Sequence, residues 1–229
     1  MCGRFVMVAS LADIEDEFDV QGGSGELRRS YNIAPGSTVA AVVNDGSNRI
    51  ETFQWGLVPS WTKDPARGRM INARAETVAE KPSFKASFRK KRCLVIASGY
   101  YEWKRTATGK VPYYIRGISG RPLGFAGIFD SRVSPGRETL RTCAIITTRP
   151  NDLVGAIHDR MPAILSREVT SLWLDTSVRD EARLLPLLEP VSGDGLEAYP
   201  VSTLVNSPCN DSPRLIEPAG TSLLNEPPV

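Results

Sequence analysis

Histidine is nearly missing from this chain. A single residue in 229, His158, excludes a metal centre built on several imidazoles and leaves one ring for acid–base work. Cysteine is scarce too. Cys2, Cys93, Cys143 and Cys209 form no C-x-x-C pair, so no zinc ribbon or dithiol redox motif is encoded. No apolar run approaches the roughly 18 residues of a membrane span. The opening stretch, MCGRFVMVASLADIEDEF, turns acidic before the apolar core of a secretory signal can form. Neither sign of charge dominates: the net charge is +2, so binding to a polyanion must come from a local cluster. These absences predict a soluble, cytoplasmic protein with reduced thiols that needs no metal and no cofactor.

What is present is an ordinary globular composition, 41% hydrophobic and 24% charged, in a chain long enough for one large core. Short apolar or alternating runs dominate: RFVMV, TVAAVVND, RIETFQWGLV, CLVIAS, YYEWK, VPYYIRG, LGFAGIFD and TCAIITT read as strands. Between them, SLADIEDEFDV carries Ser10 and Asp13 as a capping box, and KPSFKASFRKKR reads as a short basic helix with Pro82 in its first turn. PNDLVGAIHD, SREVTSLWLD and DEARLLPLLE read as further helices. The expected fold is α+β, with a mostly antiparallel, barrel-like β core and short flanking helices. It occupies residues 1–206. Residues 207–229, rich in Pro, Asn, Ser and Glu, read as a flexible tail.

The placement of Cys2 carries chemistry. If Met1 is removed, Cys2 bears an α-amine and a thiol two carbons apart, with ordinary pKa values of about 7.7–8.0 and 8.5. The amine can condense with an aldehyde, and the thiol can close on the imine to give a thiazolidine. An internal cysteine cannot do this, because its nitrogen is an amide. Elsewhere, SGYYEWK sets Glu102 among aromatics, where burial raises a carboxyl's pKa and fits it for proton transfer. In MINARAET, an extended chain would put Asn72, Arg74 and Glu76 on one face. His158 lies in IHDRMP, at an apparent helix end. YNIAPG and WGLVPSW supply Pro35, Trp55 and Trp61, residue types that stack on or wedge between bases. Each pattern also has an ordinary structural reading, as a core aromatic or a solvated polar face.

Taken in order, MCGRF, YNIAPG, WGLVPSW, INARAET, SGYYEWK, AIITT and IHDRMPAIL resemble the SOS response-associated peptidase family. The resemblance spans residues 1 to about 165, and more weakly to about 205. It implies a sensor of abasic sites in single-stranded DNA. In such a protein Met1 is removed autocatalytically, and Cys2 forms a thiazolidine crosslink that protects the lesion, with a reversal activity also implied. It gives catalytic roles to Cys2, Asn72, Glu102 and His158. Arg4, Arg74 and Arg160 match phosphate-holding positions, and Pro35 and Trp61 match residues beside the flanking bases. A monomer is implied, associated with the nucleoid in a bacterium or the nucleus in a eukaryote. Lys85, Arg89, Lys90, Lys91 and Arg92 could extend the basic surface or form a solvated face.

Two other readings stand beside this one. An N-terminal-cysteine amidohydrolase also starts with a processed cysteine followed by glycine, but it would release ammonia from glutamine. A non-covalent reader of modified DNA would leave Cys2 incidental, and a denaturing gel would separate the two.

Overall fold

The computed structural model describes residues 2–21, 27–62, 69–133 and 139–220. Thirteen strands are present among them. β1 is Phe5–Met7, β2 Ser30–Ile33, β3 Thr38–Asn44, β4 Asn48–Trp55, β5 Asn72–Arg74, β6 Arg92–Ala97 and β7 Gly99–Thr106. β8 is Gly109–Gly117, β9 Leu123–Val133, β10 Thr139–Thr148, β11 Met161–Pro162, β12 Ile164–Leu165 and β13 Leu196–Pro200. The helices are short: α1 Leu11–Phe18, α2 Pro82–Lys90, α3 Asp152–Gly155, α4 Arg167–Leu174 and α5 Glu181–Leu184. None of them is long and apolar enough to cross a membrane.

The larger sheet closes on itself. β4, β3, β6, β9 and β10 pair in that order, and β10 returns to β4 as a parallel neighbour through Thr142–Gln54 and Cys143–Trp55. β9 makes closure possible because its 11 residues are long enough to bridge β6 and β10, with β12 also pairing near its start. Its first half pairs with β6 and its second half with β10. The fold is α+β with a barrel-like core. The inward faces read as nearly unbroken apolar runs, and β6 is buried at all six positions. Close packing sets the small residues: a Cβ on Gly127 would lie 2.8 Å from the Cys93 sulfur.

A second sheet, ordered β13-β8-β7-β1-β2, packs beside the barrel. Phe5 joins the two, with its ring 5.2 Å from Trp55 and 6.1 Å from Phe125. The other side of this sheet carries a small separate core of Val6, Tyr101, Tyr114, Tyr199, Val201, Val205 and Leu215.

The helix signals hold where local chemistry is complete. Ser10 and Asp13 form the reciprocal cap on α1, and Pro82 opens α2. DEARLLPLLE is not one helix. Pro186 cannot donate to the turn before it, so α5 passes into a 3₁₀ turn over Leu185–Leu188. The basic run is largely used inside the protein. Arg89 pairs with Glu181, Lys91 with Asp130, and Arg92 is buried.

Residues 207–220, whose composition reads as a mobile tail, instead pack on the second sheet. The Asn32 side-chain amide donates to the carbonyls of Ser207 and Asn210 at 3.0 and 2.7 Å. Asp211 Oδ1 accepts the Tyr31 N–H at 2.6 Å, and Leu215 is buried. Polar composition misleads here because the segment is held by backbone groups and one apolar anchor. Residues 221–229 lie outside the described residues.

Candidate active site around Cys2

Cys2 lies just ahead of β1, with its side chain fully buried. Two strands hold its surroundings. On one side is β5, short and paired in parallel with β10 through Asn72–Ile145, Ala73–Ile146 and Arg74–Thr147. Its first residue, Asn72, donates from Nδ2 to the Cys2 carbonyl at 2.8 Å. That bond fixes the backbone of residue 2. The amide oxygen, Asn72 Oδ1, is buried with no hydrogen-bond partner among the described residues.

On the other side is β7, which pairs with β1 through Phe5–Tyr100 and Val6–Gly99. Tyr100 and Glu102 are two residues apart and share a face. Both are buried, Tyr100 completely and Glu102 to 2% exposure. Gly99 lets β8 come close, since a Cβ there would sit 2.5 Å from the Tyr114 hydroxyl. Burial pushes the Glu102 carboxyl up to about 7, and the Asp159 carboxylate adds to the rise. Burial also drives the Cys2 thiol far above its ordinary value, reinforced by the negative charge of Glu102. The Tyr100 hydroxyl is raised for the same reasons, with Cys2 and Glu102 both acting on it, and it has no hydrogen-bond partner among the described residues.

His158 completes the group. Its Nε2 lies 3.8 Å from Glu102 Oε2. Its Nδ1 accepts the Arg160 backbone N–H at 3.0 Å, which leaves the neutral ring's proton on Nε2, facing Glu102. Asp159 Oδ1 is 2.9 Å from the same Nδ1 and favours the charged ring. Burial outweighs it and holds the imidazole below its ordinary pKa.

The structure therefore gathers Cys2, Asn72, Glu102 and His158 into one cluster. The basic residues are placed differently from one another. Arg74 is exposed and makes no hydrogen bond or ion pair among the described residues. Arg160 grips Glu76 with both nitrogens, at 2.6 and 3.0 Å, and also donates to the Thr147 carbonyl. Arg4 donates to Asn32 Oδ1 at 2.7 Å and to the Val205 carbonyl at 2.8 Å, so it ties the C-terminal segment down. Glu76 does not share an extended face with Asn72 and Arg74, because the chain turns into a 3₁₀ helix at Ala75–Thr77. That turn brings Glu76 to Arg160.

Pro35 is exposed, and Trp61 is 64% exposed. Trp61 sits in a loop anchored to the barrel. The Ser60 N–H donates to Asp130 Oδ2 at 2.7 Å, Val58 N–H to Thr142 Oγ1 at 2.9 Å, and Arg132 to the Thr62 carbonyl. Trp55, by contrast, is fully buried and belongs to the core.

The family model for SOS response associated peptidase (SRAP) matches residues 1–208. The chain belongs to the SRAP family. Among curated SRAP relatives, the abasic site processing protein YoqW of Bacillus subtilis is 46% identical over 222 residues, covering 95% of this chain and 99% of YoqW. The abasic site processing protein HMCES of Xenopus tropicalis is 34% identical over 259 residues, covering 93% of this chain and 77% of its own length. A crystal structure of a Bacteroides thetaiotaomicron protein superposes with a TM-score of 0.86 at 30% identity, covering 95% of this chain and 100% of that one.

Three polar side chains, two beside the Cys2 strands and one under the Trp61 loop, escape a sequence reading. Asn32 lies inside YNIAPG but carries no distinguishing spacing. Asp130 looks like an ordinary strand-end carboxylate in LGFAGIFDSR. The Tyr100 hydroxyl is legible only as one aromatic among three.

Proposed function

We propose that this protein processes abasic sites in single-stranded DNA by covalent capture. Hydrolysis of the Met1–Cys2 bond consumes one water and frees methionine. The exposed α-amine adds to the aldehyde of the ring-opened sugar and loses water to give an imine. The Cys2 thiol then adds to the imine carbon, its proton passes to nitrogen, and a thiazolidine forms. Net capture releases one water.

The observation that carries this reading is the seat of Cys2. Its carbonyl is held by the Asn72 amide at 2.8 Å, beside a carboxyl poised at about 7. A group that titrates near neutrality gives and takes protons equally well. Glu102 protonates the departing oxygen of the carbinolamine, and His158 hands protons to the sugar oxygen. The raised thiol pKa favours amine-first capture over a resident thiolate nucleophile, as an amidohydrolase would require. The names of the relatives, abasic site processing proteins, support the substrate.

Around the lesion, Arg74 is ready for a phosphate, and Arg160 would exchange Glu76 for one. Arg4 would have to release Asn32 and the Val205 carbonyl to join them. Pro35 and Trp61 offer exposed faces to the flanking bases. The partner is single-stranded DNA, and the protein acts as a monomer.

Intact mass spectrometry of the protein mixed with an abasic oligonucleotide tests the reading. The expected masses are a chain lacking methionine and an adduct equal to chain plus oligonucleotide minus one water. Cys2→Ala abolishes the adduct while the fold survives, and an uncleavable N-terminal tag blocks it. Full-speed capture by a chain that retains Met1 would overturn the reading.

A further inference from the structure

Three buried tyrosines of this fold give their hydroxyl protons to backbone carbonyls. Tyr101 donates to Tyr31 at 2.8 Å, Tyr114 to Ser98 at 3.2 Å and Tyr199 to Ile216 at 3.0 Å. Tyr100 breaks the pattern. It is fully buried, and its hydroxyl makes no hydrogen bond among the described residues, the Cys2 thiol included.

An unpartnered buried hydroxyl is destabilising. A phenylalanine would fill the same space, so packing does not account for the oxygen. The ring itself is fixed. It stands edge-on to Phe125, at 86° and 5.8 Å between centroids, and β7 pairs with β1 through Phe5–Tyr100. Cys2 leads into β1 and belongs to the same buried core as Tyr100.

Two groups that act on this hydroxyl can become anions, the Cys2 sulfur and the Glu102 carboxyl, and the sulfur acts on it more strongly. A thiol is a weak acceptor, whereas an anion draws a strong, charge-assisted hydrogen bond. The O–H is therefore idle at rest, because its partner exists only once the sulfur gives up its proton. Burial holds the phenol well above its ordinary value, so it stays protonated and remains a donor.

We infer that the Tyr100 hydroxyl is the donor that meets the Cys2 sulfur while negative charge develops on it during ring closure. The sulfur lone pair forms the S–C bond, the C=N π pair moves to nitrogen, and nitrogen takes the proton that sulfur loses. Tyr100 keeps its own proton throughout. A donor fixed in place before the charge appears lowers the barrier without reorganising. The same contact lowers the barrier to S–C cleavage when the adduct reopens. This rests on reading Cys2 as the trap for an abasic sugar, but the thiol can be interrogated without DNA.

The test compares the wild type with Tyr100→Phe, both after loss of Met1. Alkylation of Cys2 by iodoacetamide is followed by mass spectrometry of the N-terminal peptide. At a fixed pH below the thiol pKa the variant reacts about threefold more slowly, because its thiolate is about tenfold scarcer and only partly compensated by higher nucleophilicity. A looser pocket alone would speed the reaction, so a faster or unchanged rate would overturn the assignment. With an abasic oligonucleotide, borohydride quenching at intervals reduces the imine and spares the closed ring, and the two adducts then differ in mass by two hydrogens. In the variant the imine persists about tenfold longer, and the purified adduct reopens more slowly by the same factor. Affinity for an oligonucleotide carrying a tetrahydrofuran analogue, which has no aldehyde, is unchanged. A loss of that affinity matching the loss in rate would assign the hydroxyl to the sugar and overturn its role at sulfur. Absence of any adduct with the wild type would instead count against the trapping reaction, and alkylation would still decide the role of Tyr100.

Discussion

Around Arg92, five N–H donors meet five backbone carbonyls; around Cys2, the Tyr100 hydroxyl and Asn72 Oδ1 are shut from water with no partner among the described residues. Both regions are buried polar clusters, yet they are finished in opposite ways. Arg92 donates to Phe88 and Arg89 at the end of α2 and to Trp173 at the end of α4. It also reaches Asp175 and Val178 beyond α4. It thereby satisfies carbonyls that a helix end leaves open, and sets a positive charge at two helix C-termini. Burial lowers its pKa only to about 10, so it stays charged at neutral pH. The Cys2 cluster keeps orphaned polar atoms and a carboxyl that burial disfavours when charged. A buried unsatisfied group costs about 1–3 kcal/mol. That cost persists in a native protein where another molecule supplies the missing partner.

The largest expected effect breaks the finished cluster. Arg92→Met leaves five carbonyls without donors and lowers stability by at least about 3 kcal/mol, measured by urea unfolding. Arg92→Lys recovers only part, because an ammonium has three donors and no fork. A wild-type-like midpoint for Arg92→Met would erase the contrast between the two regions. The next effect has the opposite sign. Glu102 has a raised folded-state pKa, so its protonated form stabilises the fold below the unfolded carboxyl's pKa. That stability is lost as pH rises through about 7. Glu102→Gln removes the titration. It raises the melting temperature above pH 7 by on the order of 5 °C, while matching the wild type at low pH. The same variant removes the inflection near 7 from the pH profile of adduct formation. A melting difference that is flat with pH would show that Glu102 is not the titrating group.

The two clusters are not equally legible from sequence. The strand runs, the α1 cap and the barrel-like α+β class follow from local pattern, and closure through β9 agrees with them. Cys2, Glu102, Asn72 and His158 can be named because short motifs surround rare residue types. The geometry that joins them cannot. Asn72 reaches Cys2 only because β5 docks in parallel on β10, a pairing with no local signal. Arg92 reads as one charge in a basic run, since nothing in KKR says that one arginine turns inward to cap two helices. Residues 207–220 mislead because polar composition hides anchoring by backbone bonds.

Tyr100→Phe probes the unfinished cluster at a single atom. The ring keeps its edge-on contact with Phe125, 5.8 Å away, and loses a hydroxyl that has no partner among the described residues. Removing an unsatisfied buried group gains about 1 kcal/mol, or roughly 2–4 °C in melting temperature for a chain of this size. If the hydroxyl serves bound sugar, the more stable variant also captures an abasic oligonucleotide more slowly. A drop in melting temperature would mean that the hydroxyl is satisfied within the protein, and the two regions would then be alike.

The smallest effect concerns the loop that presents Trp61. Asp130 is 6% exposed and accepts three bonds: from Ser60 N–H at 2.7 Å, from Ser131 N–H at 2.8 Å and from the Lys91 ammonium at 2.5 Å. These bonds, with burial opposing them, hold its carboxyl below the ordinary range, so it is a full anion at neutral pH. Asp130→Asn keeps the shape but turns one accepting oxygen into an N–H donor, so at least one of the three bonds is lost and the rest lose the charge that strengthens them. The loop over residues 58–62 then samples more conformations, and Trp61 incurs an ordering cost on binding that the wild type avoids. Affinity for a single-stranded oligonucleotide falls about twofold to threefold, within the range of one ordered side chain. A double-mutant cycle separates positioning from general damage. In a Trp61→Ala background, Asp130→Asn has no further effect on affinity, because nothing remains for the loop to present. Additive losses would mean that Asp130 acts on binding by another route, and the loop anchor would then be structural alone.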